Sequence, residues 1–320
     1  MTSHSDFPIP RPVMTVLGPV SYEHLGITDA HNHLWIEPVD GADKNAPVLT
    51  DYNAIVKELV EYRSDGGASI LDCQPTGCGR NGNKLFTLSK ETGINIIAST
   101  GFHRKKYYAP DHWMFKNNSQ QCYDLFLKEI QEGLIETAET SNPVLAGFVK
   151  VAVEQNWADC SRDALDGAAE AVIQTGVVME IHTEKGALAE KVSLYLCDKG
   201  VSPGQLVFCH MDKRPDLGLH KELARLGVLL EYDTFFRPKY NPEETLWPLI
   251  TQMVVAGFAE SIALATDMAE SESYHFIGGG PGLASFPSKI QKRLIENEIP
   301  GKARTHLLGG NIARRLSGIK

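Results

Sequence analysis

Eight short, β-rich apolar runs are spaced along the chain, and they constrain its fold more than any other feature. They read ITDAHNHL (27–34), ASILDC (68–73), INIIAST (94–100), AGFVKVAV (146–153), VVMEIHT (177–183), LVFCHM (206–211), VLLEYDT (228–234) and SIALATD (261–267). Between them lie segments of helical period. DYNAIVKELVEYRSDGG sets apolar Ile55, Leu59 and Tyr62 at helical spacing and closes in glycine, and SRDALDGAAEAVIQTG carries the same stop signal. Strands covered on both faces read as near-continuous apolar runs, and strands alternating with helices pair in parallel through right-handed crossovers. The predicted fold class is therefore α/β, a closed (β/α)8 TIM barrel. At 320 residues and 42% hydrophobic content the chain suits one large core, so 1–320 is expected as a single domain with 1–26 as an N-terminal extension. An open doubly wound sheet competes, but no G-x-G-x-x-G follows the first run and no G-x-x-x-x-G-K-[ST] occurs.

The charge pattern narrows the partners. A net charge of −9 without any run of five like charges lacks the basic stripe of a nucleic-acid surface. No window offers about 18 uninterrupted apolar residues, so no membrane span is expected. The opening MTSHSDFPIPRP lacks the charged and apolar regions of a secretory leader. Cys73, Cys78, Cys122, Cys160, Cys197 and Cys209 form no C-x-x-C pair, which fits buried reduced thiols. A cytoplasmic protein acting on a small molecule is the expectation.

In a barrel of this kind, chemistry is built at the carboxyl ends of the strands. Those ends carry His31 and His33 in the first run, His182 in the fifth, His210 in the sixth and Asp267 in the eighth, while Lys150 interrupts the fourth. Each has a plain structural alternative. A single strand-end histidine is commonly a hydrogen-bonded structural residue, Asp267 could form a turn or cap a helix, and Lys150 could snorkel from a strand end. His31 and His33 are more informative, since period-two alternation aims both imidazoles to one side. A lysine in a central strand must be paired, shifted in pKa or chemically altered. Together, four imidazoles, one carboxylate and one anomalous lysine fall on the rim that a barrel makes convergent. Such donors suit zinc, and also manganese, iron or cobalt. Six ligands exceed one tetrahedral ion, which points to a binuclear metal centre with ions roughly 3.5–4 Å apart.

This ordered set resembles the amidohydrolase superfamily and, within it, the phosphotriesterase-like family. The stretch GITDAHNHL is similar to that family's first signature, departing from it at Asp29 and Asn32, where leucine and glutamate are usual. The resemblance runs from about residue 16 to the end. It implies that His31, His33 and Asp267 bind the more buried ion and His182 and His210 the more exposed one. Lys150 matches the bridging lysine, N-carboxylated by carbon dioxide. It further implies a metal-bridging hydroxide as nucleophile, with Asp267 as the catalytic proton acceptor, and a homodimer, since that family commonly forms dimers. No G-x-S-x-G occurs, which disfavours a serine hydrolase.

Substrate choice falls to the loops. Two connections are long, 101–118 and 268–288, and long loops in compact domains are usually functional. The expected substrate-binding residues are His103 and Tyr107 after the third strand, Arg237, Lys239 and Tyr240 after the seventh, and Tyr274 after the eighth. They resemble the lactonase branch, some of whose members open lactones of phosphorylated sugars. Glu270 and Glu272 stand where that branch tends to place a basic residue. The expected activity is opening of a small hydroxy-acid or sugar lactone, the sugar phosphorylated or not. The alternatives are a phosphotriesterase or aryl esterase using the same centre, or a non-catalytic ligand-binding barrel.

Overall fold

The computed structural model describes residues 10–319. Two short antiparallel strands, β1 (Val13–Thr15) and β2 (Gly18–Val20), precede the barrel strands. Those are β3 (Ile27–Asn32), β4 (Gly67–Asp72), β5 (Asn95–Gly101), β6 (Phe148–Ala152), β7 (Met179–His182), β8 (Leu206–Phe208), β9 (Leu229–Tyr232) and β10 (Ile262–Leu264). Each of the eight overlaps one of the apolar runs. They form one parallel sheet in sequential order from β3 to β10, which is the (β/α)8 barrel expected from the alternation. Seven of its covering helices are α1 (Tyr52–Ser64), α2 (Gly82–Thr92), α3 (Ser119–Gln131), α4 (Arg162–Thr175), α5 (Ala189–Asp198), α6 (Leu217–Leu226) and α7 (Leu246–Val255), and short helical pieces between 283 and 316 complete the ring.

The helix limits follow local chemistry. The Asp51 side chain accepts the Ala54 N–H to start α1, Asn81 accepts from Lys84 to start α2, and Asp216 accepts from Leu219 to start α6. The glycine stop of the fourth helical segment is Gly176, left-handed at φ 75°, which follows α4 as its sequence suggested.

Two apolar shells surround the sheet. Outside it, helix residues such as Ile55, Leu59, Phe126 and Leu165 pack against outward strand residues such as Ile70, Ile96 and Val149. Inside, Leu71, Ile97, Phe148, Val178, Val207, Leu229 and Ala263 form the barrel floor, and Val13 and Leu25 join them from below. Full burial of each large member contributes roughly 1.5–3 kcal/mol. The Val16 N–H donates to the Ile96 carbonyl at 2.9 Å, so the β1–β2 hairpin is fastened under the barrel. Residues 1–9 of the expected extension lie outside the described residues; of the rest, Val13, Val20, Tyr22 and Leu25 pack against the barrel floor.

One backbone contact places the fourth barrel strand. Gly101 ends β5 at φ +110° opposite Lys150, and a Cβ on it would sit 1.9 Å from the Lys150 carbonyl oxygen. Any side chain there would push Lys150 aside as well as strain the turn. Gly101→Ala is expected to cost about 3 kcal/mol of unfolding free energy, measured by urea titration; a loss below about 1 kcal/mol would mean the strands part without cost.

Candidate metal centre

The placement of His31 and His33 depends on an irregularity in β3. Asp29 pairs with Ile70 and Asn32 with Asp72, so three steps of β3 run against two of β4. This bulge re-phases the strand: Ala30 packs in the floor, yet its neighbour His31 and then His33 line the cavity at the mouth. Two further residues reach the same point through left-handed backbone, His210 at φ 63° and Asp267 at φ 47°. Such a conformation costs a non-glycine residue roughly 1–2 kcal/mol and persists where the surroundings over-determine it.

The four imidazoles share one pattern. Each has one ring nitrogen against an oxygen: His31 Nδ1 with Glu231 Oε1 at 2.7 Å, His33 Nδ1 with Gln74 Oε1 at 2.7 Å, His182 Nε2 with Glu184 Oε1 at 2.9 Å, and His210 Nδ1 with Asp233 Oδ2 at 2.5 Å. The opposite nitrogens converge. His182 Nδ1 and His210 Nε2 are 2.9 Å apart, and His31 Nε2 and His33 Nε2 lie 3.5 and 3.8 Å from Asp267 Oδ1. Burial pushes all four rings below the ordinary histidine pKa, His33 to about 4, which favours the neutral imidazole that a metal binds. A ring fixed through one nitrogen by an oxygen and offering the other to a common centre is how proteins hold divalent metals.

Asp267 is the matching anion. Burial raises its pKa, but the charges of Arg237 and Lys213 outweigh that and bring it to about 2. Arg237 Nη2 donates to Asp267 Oδ2 at 3.0 Å and also to its carbonyl oxygen, while Lys213 Nζ stands 3.8 Å from Oδ2. The ligand atoms of His31, His33 and Asp267 form one set within 4.8 Å of each other.

Lys150 is wholly buried one layer below. Its Nζ donates to Glu180 Oε1 at 2.7 Å and to Cys209 Sγ at 3.1 Å, and lies 3.4 Å from both nitrogens of His31. Burial lowers the lysine's pKa, but Cys209, Cys73, Glu180 and Glu231 more than compensate and hold it well above its ordinary value. The lysine is thus an ammonium paired with Glu180, its register partner on β7, and neither His182 nor His210 is among its hydrogen-bond partners. Glu180 Oε2 and Glu231 Oε2 are buried without a hydrogen-bond partner among the described residues. Neutral nitrogens, an ionised carboxylate and spare buried carboxylate oxygens together fit a cationic group.

The cavity above these residues has a volume of about 480 Å³. His103, Tyr107, Arg237 and Lys239 line it, with the His103 ring 5.1 Å from that of His182 and 4.7 Å from that of Tyr107. Two expected substrate contacts are corrected by the structure. Tyr274 is fully buried beneath the mouth, its hydroxyl directed to the carbonyls of His33 and Met268, because its loop folds inward onto β3. Tyr240 stands outside the lining as a ring backing the ammonium groups of Lys213 and Lys239, at 5.6 and 5.2 Å.

The sequence also left residues unnoticed. Glu231 and Asp233 alternate in VLLEYDT as His31 and His33 do in the first run, and Glu180 stands two before His182. A charge inside a strand buried on both faces, the signal that singled out Lys150, marks these as well. Gln74, Lys213 and the cavity wall from Ile36 to Val48 carry no comparable signal. Glu231→Gln and Asp233→Asn are each expected to weaken metal binding roughly 10–100-fold, read by competition with a chromogenic chelator; unchanged affinity would show that these oxygens do not orient the rings.

The profile of the phosphotriesterase family matches residues 11–295. A phospho-furanose lactonase of Mycoplasmopsis synoviae is 30% identical over 266 residues, covering 79% of this chain and 75% of that protein. Among solved structures, a lactonase from Listeria monocytogenes superimposes with a TM-score of 0.87 at 25% identity, covering 97% of this chain and 100% of that one. An amidohydrolase from Mycoplasma synoviae does so at 0.85 and 27% identity, covering 96% and 92%.

Proposed function

This chain belongs to the phosphotriesterase family, and from that premise we propose that it is a metal-dependent hydrolase that opens a small hydroxy-acid or sugar lactone. The observation that carries the proposal is the gathering of four imidazoles, each anchored through one ring nitrogen, and of the Asp267 carboxylate at the base of one cavity. The names of the relatives, lactonase and phospho-furanose lactonase, support the choice of a lactone over other esters. His31, His33 and Asp267 would hold one divalent ion and His182 and His210 a second, with Lys150 between them once carboxylated. Such ions polarise a carbonyl oxygen and bring the pKa of water toward neutrality.

The chain's own groups supply the rest. Asp267 lines the cavity and can take a proton from the attacking water. The proton passes on to the ring oxygen as the carbon–oxygen bond breaks, leaving a hydroxyl and a carboxylic acid, which loses its remaining proton to solvent. Arg237 holds Asp267 through two of its oxygens, so the acceptor keeps one orientation while that transfer occurs. Lys106, Lys239 and Arg237 at the mouth favour a substrate with an anionic arm, a phosphate included, and Glu270 on the same wall restricts where that arm can lie.

The test is turnover of a panel of lactones, aryl esters and a phosphotriester by protein stripped with chelator and reloaded with zinc, manganese or cobalt. Lactone opening is expected to vanish on stripping and return on reloading. Asp267→Asn should lose roughly 10²–10⁴-fold in kcat, and Lys150→Ala should lose bound metal and activity together. Lactone turnover by fully stripped protein, or preference for the triester, would replace this function with another.

A further inference from the structure

Building on the two-ion centre above, we propose that Asp29 is a positioning residue: its buried carboxylate pins the seam where the barrel closes and thereby fixes His31 and His33 against Asp267.

The sheet runs from β3 to β10, and the two end strands must be brought together for the inner ion's ligands to meet, because His31 and His33 lie at one end and Asp267 at the other. Asp29 spans that junction. Its Oδ1 accepts the N–H of His31 at 3.2 Å and that of Thr266 at 3.1 Å. Its Oδ2 accepts the Thr266 hydroxyl at 2.6 Å and the Asn32 amide at 2.9 Å. Asn32 Nδ2 also donates to Thr266 Oγ1 at 2.7 Å, and Asn32 Oδ1 accepts the N–H of His33 at 2.9 Å. One residue further along, the Asp267 N–H donates to the His31 carbonyl at 2.9 Å.

The backbone N–H groups of both inner histidines, and of the residue before Asp267, therefore end on one side-chain network. Asp29 and Asn32 are completely buried and Thr266 is 4% exposed. None of the three lines the cavity, so they meet no substrate and act through the ligands. His182 and His210 come from β7 and the turn after β8 and are oriented by Glu184 and Asp233. The network should govern one ion and spare the other.

The donor pattern supplies a discriminating experiment. Asp29 Oδ2 faces two donors, which an amide nitrogen cannot accept. Exchanging the carboxylate and the amide restores complementarity, because an amide at 29 can donate to a carboxylate at 32, whose other oxygen still accepts from His33. Full-length wild type, Asp29→Asn, the double exchange Asp29→Asn/Asn32→Asp, and Thr266→Val are loaded with zinc. Bound metal is counted, and release to excess chelator is followed in time. Wild type is expected to hold two ions released in two phases. Asp29→Asn should speed one phase roughly 10–100-fold and leave the other unchanged, and the double exchange should return both. Should Asp29→Asn not fold, Thr266→Val, which removes a hydroxyl alone, is expected to speed the same phase severalfold.

Wild-type release from the folded single variants overturns the assignment, as does equal loss of both ions, which marks a general structural role. Fewer than two ions in the wild type would instead overturn the binuclear premise, and the positioning role with it.

Discussion

Lys150 and Glu180 meet 2.7 Å apart in the middle of the barrel, and the site is organised around that buried pair. Moving two charges out of water costs several kcal/mol per ion, which their attraction offsets when geometry is good and further hydrogen bonds are made. Here Glu180 Oε1 also receives Cys73 Sγ at 3.0 Å and Cys209 Sγ at 3.3 Å. The pair separates two environments: below it Phe148, Val207 and Leu229 form a dry floor, and above it the imidazoles open on the cavity. Rigidity from below holds donors that face open space above.

Orientation at the mouth comes from second partners and from strain together. The bulge in β3 and the left-handed backbone of His210 and Asp267 aim these side chains at the cavity, and regular strand geometry would have turned them elsewhere. A conformation of this kind survives because the oxygens of Glu231, Gln74, Glu184 and Asp233 and the guanidinium of Arg237 hold each group from behind. Burial favours neutral imidazoles, and Arg237 and Lys213 keep Asp267 ionised, which are the states that a divalent ion requires.

Much of the architecture was legible in the linear order of residues. Eight apolar runs became eight parallel strands because a strand covered on both faces has no room for polar alternation, and the polar exceptions at their ends gathered at one rim because parallel strands all end on the same side. Lys150 stood out for the same reason. Glu180, Glu231 and Asp233 broke the pattern equally and escaped notice because each adjoins a more conspicuous histidine or lies in a strand without a ligand. Tyr274 misled because a loop position says nothing about which way the ring turns; its hydroxyl found backbone carbonyls under the mouth.

Asp29 and Asn32 look unrelated in the linear sequence, yet they hydrogen-bond to each other at 2.9 Å across the bulge and both reach Thr266. The sequence by itself determined the barrel and which strand ends carry polar donors, since those follow from periodicity and from the rarity of charge in buried strands. Only the tertiary structure decided which nitrogen of each ring faces the centre, that Lys150 pairs with Glu180, and how the first and last strands are pinned. These depend on distances between residues up to 237 positions apart, which no local pattern encodes.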